Sequence, residues 1–179
     1  MPFLNFRLHC ILLSVAIIVL AGLSFLPLYD SPLFACAANG MLHATSVVAS
    51  LRAPTTTLRR LLFVALAAGL SIMSLYVGII ALVALSILPD SQRLPAVVVI
   101  ASMCGAVTYG SLVRIFWVRG IRPRVILGLA AVCSGATLIG YIVKLRFDWS
   151  GTWWLAAIWW LAFSLCLRFF GNPPSPKTA

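Results

Sequence analysis

Long apolar runs separated by short polar gaps dominate this chain. Six such runs occur, and charged, proline or glycine residues bound them. A helix that crosses about 30 Å of hydrocarbon needs roughly 20 apolar residues. The runs are about this long, except the third, which is longer than a bilayer needs and is expected to tilt or to emerge at one end. The pattern predicts an all-α integral membrane protein, built as a single bundle of six transmembrane helices over residues 8–28, 32–51, 61–88, 94–113, 125–143 and 149–167.

The second run is less hydrophobic than a usual span, because Asn39, His43 and several hydroxyl side chains interrupt it. It carries no charge between Asp30 and Arg52, and Pro32 suits the first turn of a helix. We therefore interpret it as a span. The alternative is a five-span protein in which this segment is re-entrant or lies on the membrane surface.

Small residues recur at four-residue spacing within three of the runs. This spacing places them on one helix face and favours close helix packing in membranes. The predicted packing positions are Cys36, Gly40 and Ala44, then Ala101 and Gly105, and finally Ala131 and Gly135.

Composition supports a membrane location. The chain is 63% hydrophobic and only 9% charged, whereas soluble domains carry about 25% charged residues. A net charge of +10 would suggest nucleic acid in a soluble protein. Here the basic residues lie between apolar runs, as orientation signals and headgroup contacts do. We expect membrane lipids, anionic ones in particular, and other membrane proteins or a second copy as partners, and no nucleic acid.

The basic residues also predict the orientation. With six spans and both termini in the cytoplasm, only Arg93, Lys144 and Arg146 of the 13 Lys and Arg residues are outside. Positive residues concentrate on the cytoplasmic side of membrane proteins, so this arrangement is favoured. The cytoplasmic set is Arg7, Arg52, Arg59, Arg60, Arg114, Arg119, Arg122, Arg124, Arg168 and Lys177.

The scarcity of acids removes many chemistries. Glu is absent, and Asp30, Asp90 and Asp148 all lie in gaps between apolar runs. Paired carboxylates for acid–base catalysis and carboxylate proton relays both need acids inside the bundle. The five cysteines show no C-x-x-C spacing and are interpreted as small apolar fillers. We expect no metal and no cofactor.

The second span holds the best candidate site. Asn39 and His43 are four residues apart and share a helix face. Cys104 and Ser134 fall at similar depth in other spans, so the four could form a polar layer at the membrane midplane. The functional hypotheses are a small-ligand or ion site and a Ser134–His43 nucleophile pair. The structural alternative is interhelical hydrogen bonding that only holds the bundle together.

A haem held by two histidines is not expected. The second histidine, His9, is predicted near the cytoplasmic edge, with His43 about 12 Å deeper in the membrane at 1.5 Å per residue. At that separation the two rings could not easily ligate one iron.

The strongest charged feature follows the fourth span. Arg114, Arg119, Arg122 and Arg124 lie in or beside this connection, with no acid among them and with Trp117 near its start. We predict that they bind anionic lipid headgroups and that Trp117 anchors the loop at headgroup depth. The alternative is a plain determinant of orientation.

The remaining expectations concern boundaries and role. Residues 1–170 form the bundle, and residues 171–179 form a disordered, proline-rich cytoplasmic tail. A cleaved signal peptide is the alternative for the N-terminus, but the first run is longer than a signal core. The leading functional hypothesis is a structural or accessory subunit of a complex in a bacterial inner membrane. The others are a small transporter or channel subunit and a lipid-active enzyme.

Overall fold

The structure, a computed structural model, describes residues 4–52, 55–117, 121–147 and 153–170. Within these ranges the chain is helical, and Leu4 and Leu51 form an isolated bridge. The helices are α1 (Phe6–Leu23), α2 (Pro32–Ala49), α3 (Thr57–Ala84), α4 (Asp90–Phe116), α5 (Pro123–Phe147) and α6 (Trp153–Phe170), with a short 3₁₀ helix (Pro27–Asp30) after α1. The all-α prediction is confirmed for the described residues.

Polar caps and prolines determine where the helices begin. Asn5 Oδ1 accepts a hydrogen bond from the Leu8 backbone N–H at 3.4 Å, and Thr56 Oγ1 accepts one from Arg59 at the same distance. Such caps satisfy backbone donors that the first turn leaves unpaired. Pro32 occupies the first turn of α2, as the sequence predicts.

The first helix is shorter than predicted. α1 ends at Leu23, whereas the apolar run continues to residue 28. Pro27 explains the difference, because it has no N–H to donate and its ring would clash with the Leu23 carbonyl. α3, α4 and α5 begin before their predicted spans, since polar residues complete their first turns. The predicted start of the sixth span, Trp149, lies outside the described residues.

Consecutive helices pack against each other along the chain, and α6 also contacts α1. The described helices therefore form a closed bundle. Neighbours run antiparallel: Gly78 of α3 faces Ala101 of α4, whereas Phe63, earlier in α3, contacts Phe116, later in α4. Short connections favour this arrangement.

Some of the predicted small residues do bring helices close together. A Cβ added to Gly40 would lie 2.6 Å from the Ala67 carbonyl oxygen of α3, so only glycine fits there. At Gly105 the nearest atom would be Ser74 Oγ at 3.2 Å. The prediction for Gly135 is wrong, because among the residues that the structure describes a Cβ there would meet nothing within 4 Å.

The bundle is apolar outside and partly polar inside. Ile18, Ile80, Val83 and Ile139 are each at least 65% exposed on the outer surface. Several hydroxyl and imidazole side chains are buried instead, namely His9, His43, Ser46, Ser50, Ser102, Ser134, Thr137 and Ser164. A lipid environment favours this distribution, because it accepts apolar surface and penalises exposed polar groups.

Five of the described helices, α1 to α5, are long and apolar enough to cross a membrane. α2 is among the five, although the sequence left a re-entrant or surface segment as the alternative for it. The apolar part of α6 within the described residues, Trp153–Arg168, is shorter. The architecture of the described chain is thus that of a multi-pass α-helical membrane protein.

Candidate functional site

Two histidines and a serine from three helices meet inside the bundle. Ser164 Oγ of α6 lies 2.8 Å from His9 Nε2 of α1 and 3.5 Å from His43 Nε2 of α2. The other nitrogen of His9, Nδ1, lies 3.3 Å from both the Ser46 carbonyl oxygen and Ser50 Oγ. All five residues are buried. They form a continuous polar line between α1, α2 and α6, which we call the His–Ser–His line.

The acceptors on this line determine the direction of its hydrogen bonds. The Ser46 carbonyl can only accept, and Ser50 Oγ already donates to backbone carbonyls, so His9 Nδ1 carries the hydrogen. His9 Nε2 then accepts from Ser164 Oγ, which in turn accepts from His43 Nε2. The tautomers follow from these partners. They leave His43 Nδ1 as a bare acceptor.

Aromatic rings enclose His43. Trp160 stacks on it at 5.6 Å between centroids and 11° between planes, and the Tyr109 ring lies 5.1 Å away. Trp159 and Phe163 present edge contacts. This packing fixes the imidazole orientation. Within the described residues, His43 Nδ1 and the Tyr109 hydroxyl are buried atoms without a hydrogen-bond partner.

Both unpartnered atoms belong to residues that line one cavity of about 320 Å³. The buried end of the cavity is formed by His43, Tyr109 and Trp160, whereas Cys36 and Leu155, at its other end, are half-exposed. The cavity therefore extends along α2 from His43 towards the N-terminal end of this helix. From Cys36 to His43 the distance along the helix axis is about 10 Å at 1.5 Å per residue.

Further hydroxyls lie along the cavity wall. Ser102 Oγ of α4 lies 3.1 Å from Thr137 Oγ1 of α5, and the Trp159 indole N–H donates to the Ser102 carbonyl at 3.4 Å. Ser71 and Ser74 of α3 complete the polar part of the lining. Apolar side chains make up most of the rest, a mixture that is typical of small-molecule sites.

Asn39 connects the cavity mouth to the 3₁₀ helix. The Tyr29 hydroxyl donates to Asn39 Oδ1 at 3.2 Å. Burial raises the pKa of the Tyr29 phenol, and the hydrogen bond to Asn39 acts in the opposite direction. A phenol with a raised pKa stays protonated at neutral pH and remains a donor. The segment after α1 is thereby fastened to α2 beside the mouth.

The structure brings together only part of the predicted polar layer. Asn39 and His43 line the cavity, while Cys104 and Ser134 are not among its described lining residues. Ser134 Oγ donates to the Val99 carbonyl at 3.5 Å, so the described hydrogen bonds do not join the Ser134 and His43 of the predicted nucleophile pair. The serine that meets His43 is Ser164.

The predicted separation of His9 and His43 is wrong. Their rings lie 6.5 Å apart between centroids, because α1 begins at Phe6 and Asn5 pairs with Ser50 at the end of α2, which places His9 already one turn into the bundle. Ser164 occupies the space between the two rings. Among the described residues, no group of three or more His, Cys, Asp or Glu side chains could hold a metal ion.

Ser164 donates to a histidine nitrogen at 2.8 Å, as the nucleophile of a hydrolase would. Its side chain is buried and is not part of the described cavity lining, so a substrate in the cavity does not reach it. The His–Ser–His line also lacks the acid that orients the base in such enzymes. Nucleophilic catalysis is therefore not what this geometry favours.

The sequence did not reveal His9, Ser164 or Tyr109 as site residues. Lone polar side chains in apolar runs were the available signal, and both His9 and Ser164 show it. The polar side chains that come into contact are determined by how each helix is rotated about its axis. That rotation depends on helix packing, which the sequence pattern does not show.

The arginine loop is partly described. Arg122 and Arg124 are exposed, Arg114 is half-buried, and Arg119 lies outside the described residues. Trp117 packs on Phe63 at 5.4 Å between ring centroids. Its indole nitrogen is buried and has no hydrogen-bond partner among the described residues. Anchoring of the loop at headgroup depth stays a prediction.

A further arginine joins this end of the bundle. The Arg59 guanidinium lies 5.1 Å from the Trp117 ring centroid and donates to the Phe116 carbonyl at the end of α4. A cation there also complements the negative end of the helix dipole. Sequence analysis assigned Arg59 only to orientation.

Comparisons with models of known protein families, with curated proteins and with solved structures found no match.

Proposed function

We propose that this chain is a small multi-pass membrane protein that binds a small uncharged molecule inside its bundle, as a small transporter or channel subunit. The observation that carries the proposal is a cavity lined by His43 and Tyr109, which each carry a buried polar atom, Nδ1 and Oη, without a hydrogen-bond partner among the described residues. Burying an unpaired polar atom costs on the order of 1–3 kcal/mol, so a bound group that pairs with both atoms stabilises the site.

The lining supports an uncharged ligand. No described lining residue is Asp, Glu, Lys or Arg. An ion in this apolar surrounding would lack a counter-charge and would lose its hydration. Trp159, Trp160 and Tyr109 offer ring faces and edges. Thr137 Oγ1 donates to the Cys133 carbonyl and accepts from Ser102 Oγ, so the Ser102 hydroxyl offers a ligand an acceptor. A cavity of about 320 Å³ is at the small end of ligand sites.

The proposed topology has six spans with both termini in the cytoplasm. The N-terminus of α1 pairs with the end of α2 through Asn5 and Ser50, at 2.8 Å between backbone N and O. Arg59 contacts the end of α4, and the Arg168 guanidinium near the end of α6 lies over Phe6. These contacts gather basic residues at one end of the bundle, which supports its assignment to the cytoplasmic side. The cavity mouth then faces the opposite side.

The remaining parts of the proposal rest on the sequence. A bacterial inner membrane is kept as the location, and anionic lipids are kept as partners of the arginine loop. The hypothesis of a purely structural or accessory subunit stays a prediction. The cavity favours a ligand-binding role over it.

Cysteine accessibility tests the cavity directly. Cys36 lines it near the mouth, whereas Cys10 faces outward from α1. We expect a small neutral, water-soluble methanethiosulfonate to modify Cys36 in the folded protein in vesicles. Mass spectrometry of the peptides identifies the modified cysteine, and Cys36→Ala and Cys10→Ala are the matched variants. If Cys36 reacts only after denaturation, water does not enter the cavity and the proposal is wrong.

Ligand binding is tested by thermal unfolding in detergent. We expect some members of a panel of small uncharged metabolites to raise the unfolding temperature of the parent protein. The same compounds should have no effect on Cys36→Phe, which narrows the mouth, and should act normally on Cys10→Phe. A panel that stabilises the parent and Cys36→Phe equally would show that binding occurs elsewhere.

A further inference from the structure

The His–Ser–His line starts at the cavity and ends at the other side of the bundle. At the cavity end, His43 Nδ1 is a bare acceptor. At the other end, His9 Nδ1 donates towards Ser46 and Ser50, and Ser50 is the residue that follows α2. Between these ends the line has no interruption: each polar atom lies within 3.5 Å of the next, apart from the passage through the two imidazole rings.

The hydrogen bonds of this line all point the same way. His43 Nε2 donates to Ser164 Oγ, Ser164 donates to His9 Nε2, and His9 Nδ1 donates onward. Imidazole can take a proton on one nitrogen and release another from the second, and a hydroxyl can accept and donate at once. This arrangement therefore suits stepwise proton transfer away from the cavity.

We infer that His43, Ser164 and His9 form a proton relay between the cavity and the Ser50 end of the bundle, so that occupancy of the cavity is coupled to proton movement. The inference rests on the proposed function, because the relay needs an O–H donor in the cavity. Water and a ligand hydroxyl share that chemistry.

The proton balance of one transfer is simple. A proton from the aqueous side of the mouth forms an O–H bond to an oxygen in the cavity. Another O–H bond of that oxygen breaks as its proton forms an N–H bond at His43 Nδ1, so the oxygen finishes neutral. His43 Nε2 gives its proton to Ser164 Oγ, and the Ser164 proton passes to His9 Nε2. His9 Nδ1 then gives its own proton to Ser50 Oγ, whose existing O–H bond breaks as its proton passes to water beyond the end of α2. One proton enters and one leaves, and both rings finish in the opposite tautomer. Protons returning from the Ser50 end, or reorientation of the rings, restore the start.

The surroundings of the relay contain few other ionisable groups. Tyr109 of α4 contacts His43, and Arg168 of α6 lies over Phe6, whose ring centroid is 6.4 Å from that of His9. The described acids, Asp30 and Asp90, lie at the opposite end of the bundle. No described carboxylate therefore holds a proton on either ring. The sequence excludes a carboxylate relay, and the structure offers one made of imidazole and hydroxyl groups.

An isosteric pair of variants tests the relay. Ser164→Thr keeps the hydroxyl, whereas Ser164→Val has nearly the same shape without it. The full chain is reconstituted in vesicles that enclose a pH-sensitive dye, and a potassium diffusion potential drives protons. We expect the parent and Ser164→Thr to conduct protons, and Ser164→Val to fall to the level of protein-free vesicles. Thr108→Val, which removes a half-buried hydroxyl bonded to the Cys104 carbonyl, is the control and should conduct normally.

A second variant covers the case in which Ser164→Val does not fold. His43→Phe keeps the stacked aromatic packing but removes the acceptor at the cavity. We expect its proton flux also to fall to the level of protein-free vesicles. Equal proton flux in the parent, Ser164→Val and His43→Phe would overturn the relay, as would a parent that does not conduct. Cys36 modification in the same vesicles separates the two proposals: if Cys36 reacts while the relay variants have no effect, the cavity stands and only the relay is wrong.

Discussion

Gly40 of α2 and Ser71 of α3 approach so closely that a Cβ on Gly40 would lie 2.5 Å from Ser71 Oγ. The backbone of α3 is equally near, so a side chain at this position could be accommodated only if the helices moved apart. Close contact between helix backbones is a main source of packing energy in membranes, where no hydrophobic force acts between helices.

We therefore expect Gly40→Ala to destabilise the bundle by about 1–3 kcal/mol, the usual cost of overpacking. Unfolding in mixed detergent micelles measures this. Gly69→Ala in α3 is the matched control, because a Cβ there would meet nothing within 4 Å. The control should be neutral or slightly stabilising. If both substitutions have the same effect, the contact between α2 and α3 is looser than the structure indicates.

A second prediction separates packing from hydrogen bonding at His43. Its hydrogen bond to Ser164 is long, at 3.5 Å, whereas four aromatic rings contact its own ring. Removing the ring should cost about 2–5 kcal/mol, as for other large-to-small changes in a core. A single membrane hydrogen bond is worth only about 0.6 kcal/mol on average. We thus expect His43→Ala to be strongly destabilising and His43→Phe to stay near the parent in unfolding free energy. If His43→Ala and His43→Phe lower the free energy of unfolding equally, the hydrogen bonds of the imidazole nitrogens contribute more to stability than the packing of the ring.

A third prediction concerns topology. Reporter fusions within residues 114–124 and after Lys177 should report the cytoplasm, and fusions near Asp90 and Asp148 should report the opposite side, because positive residues are retained inside. The fusion at Asp30 is decisive. An external signal there supports six spans, whereas a cytoplasmic signal would exclude them and favour five.

A fourth prediction concerns the arginine loop. Arg122 and Arg124 are exposed and have no described acid in the loop to neutralise them. Each basic residue near an anionic surface gains on the order of 1 kcal/mol. Replacing Arg119, Arg122 and Arg124 together with Gln should reduce the anionic lipid that co-purifies, as measured by mass spectrometry. Arg93→Gln at the other end is the control.

High salt should mimic part of the loss in the triple variant, because screening shortens the reach of these charges to about a Debye length. Should the triple variant retain as much anionic lipid as the parent at low ionic strength, the loop only determines orientation.

The helices were largely predictable from the sequence, and their ends less so. Apolar runs of membrane length give the number and order of helices directly, since the bilayer leaves few other choices. Ends depend on single residues: Pro27 stops α1 early, and Asp90 begins α4 before its apolar run. Both residues can be seen in the sequence, but the pattern of hydrophobic positions alone does not predict that a helix ends or begins at them.

The site was less predictable, for a physical reason. Asn39 and His43 are four residues apart on one helix and were therefore predicted to share a face, and both line the cavity. Ser164 and Tyr109 come from helices more than sixty residues away in sequence, and their positions depend on how each helix rotates about its axis. Packing contacts such as that of Gly40 fix this rotation. When every face of a helix is apolar, its hydropathy pattern does not indicate which face points into the bundle.

The pairing of α1 with α2 has a consequence for how the chain enters the membrane. α2 is the least hydrophobic of the five candidate spans, and its polar side chains make its insertion on its own less favourable than that of the other four. α1 precedes it and supplies partners for it: the Asn5 backbone N–H bonds to the Ser50 carbonyl, and His9 bonds to the Ser46 carbonyl. The two segments are therefore expected to leave the translocon as one hairpin. Biogenesis of this protein would then depend on its first helix acting as a folding template, well before the last helix closes the bundle.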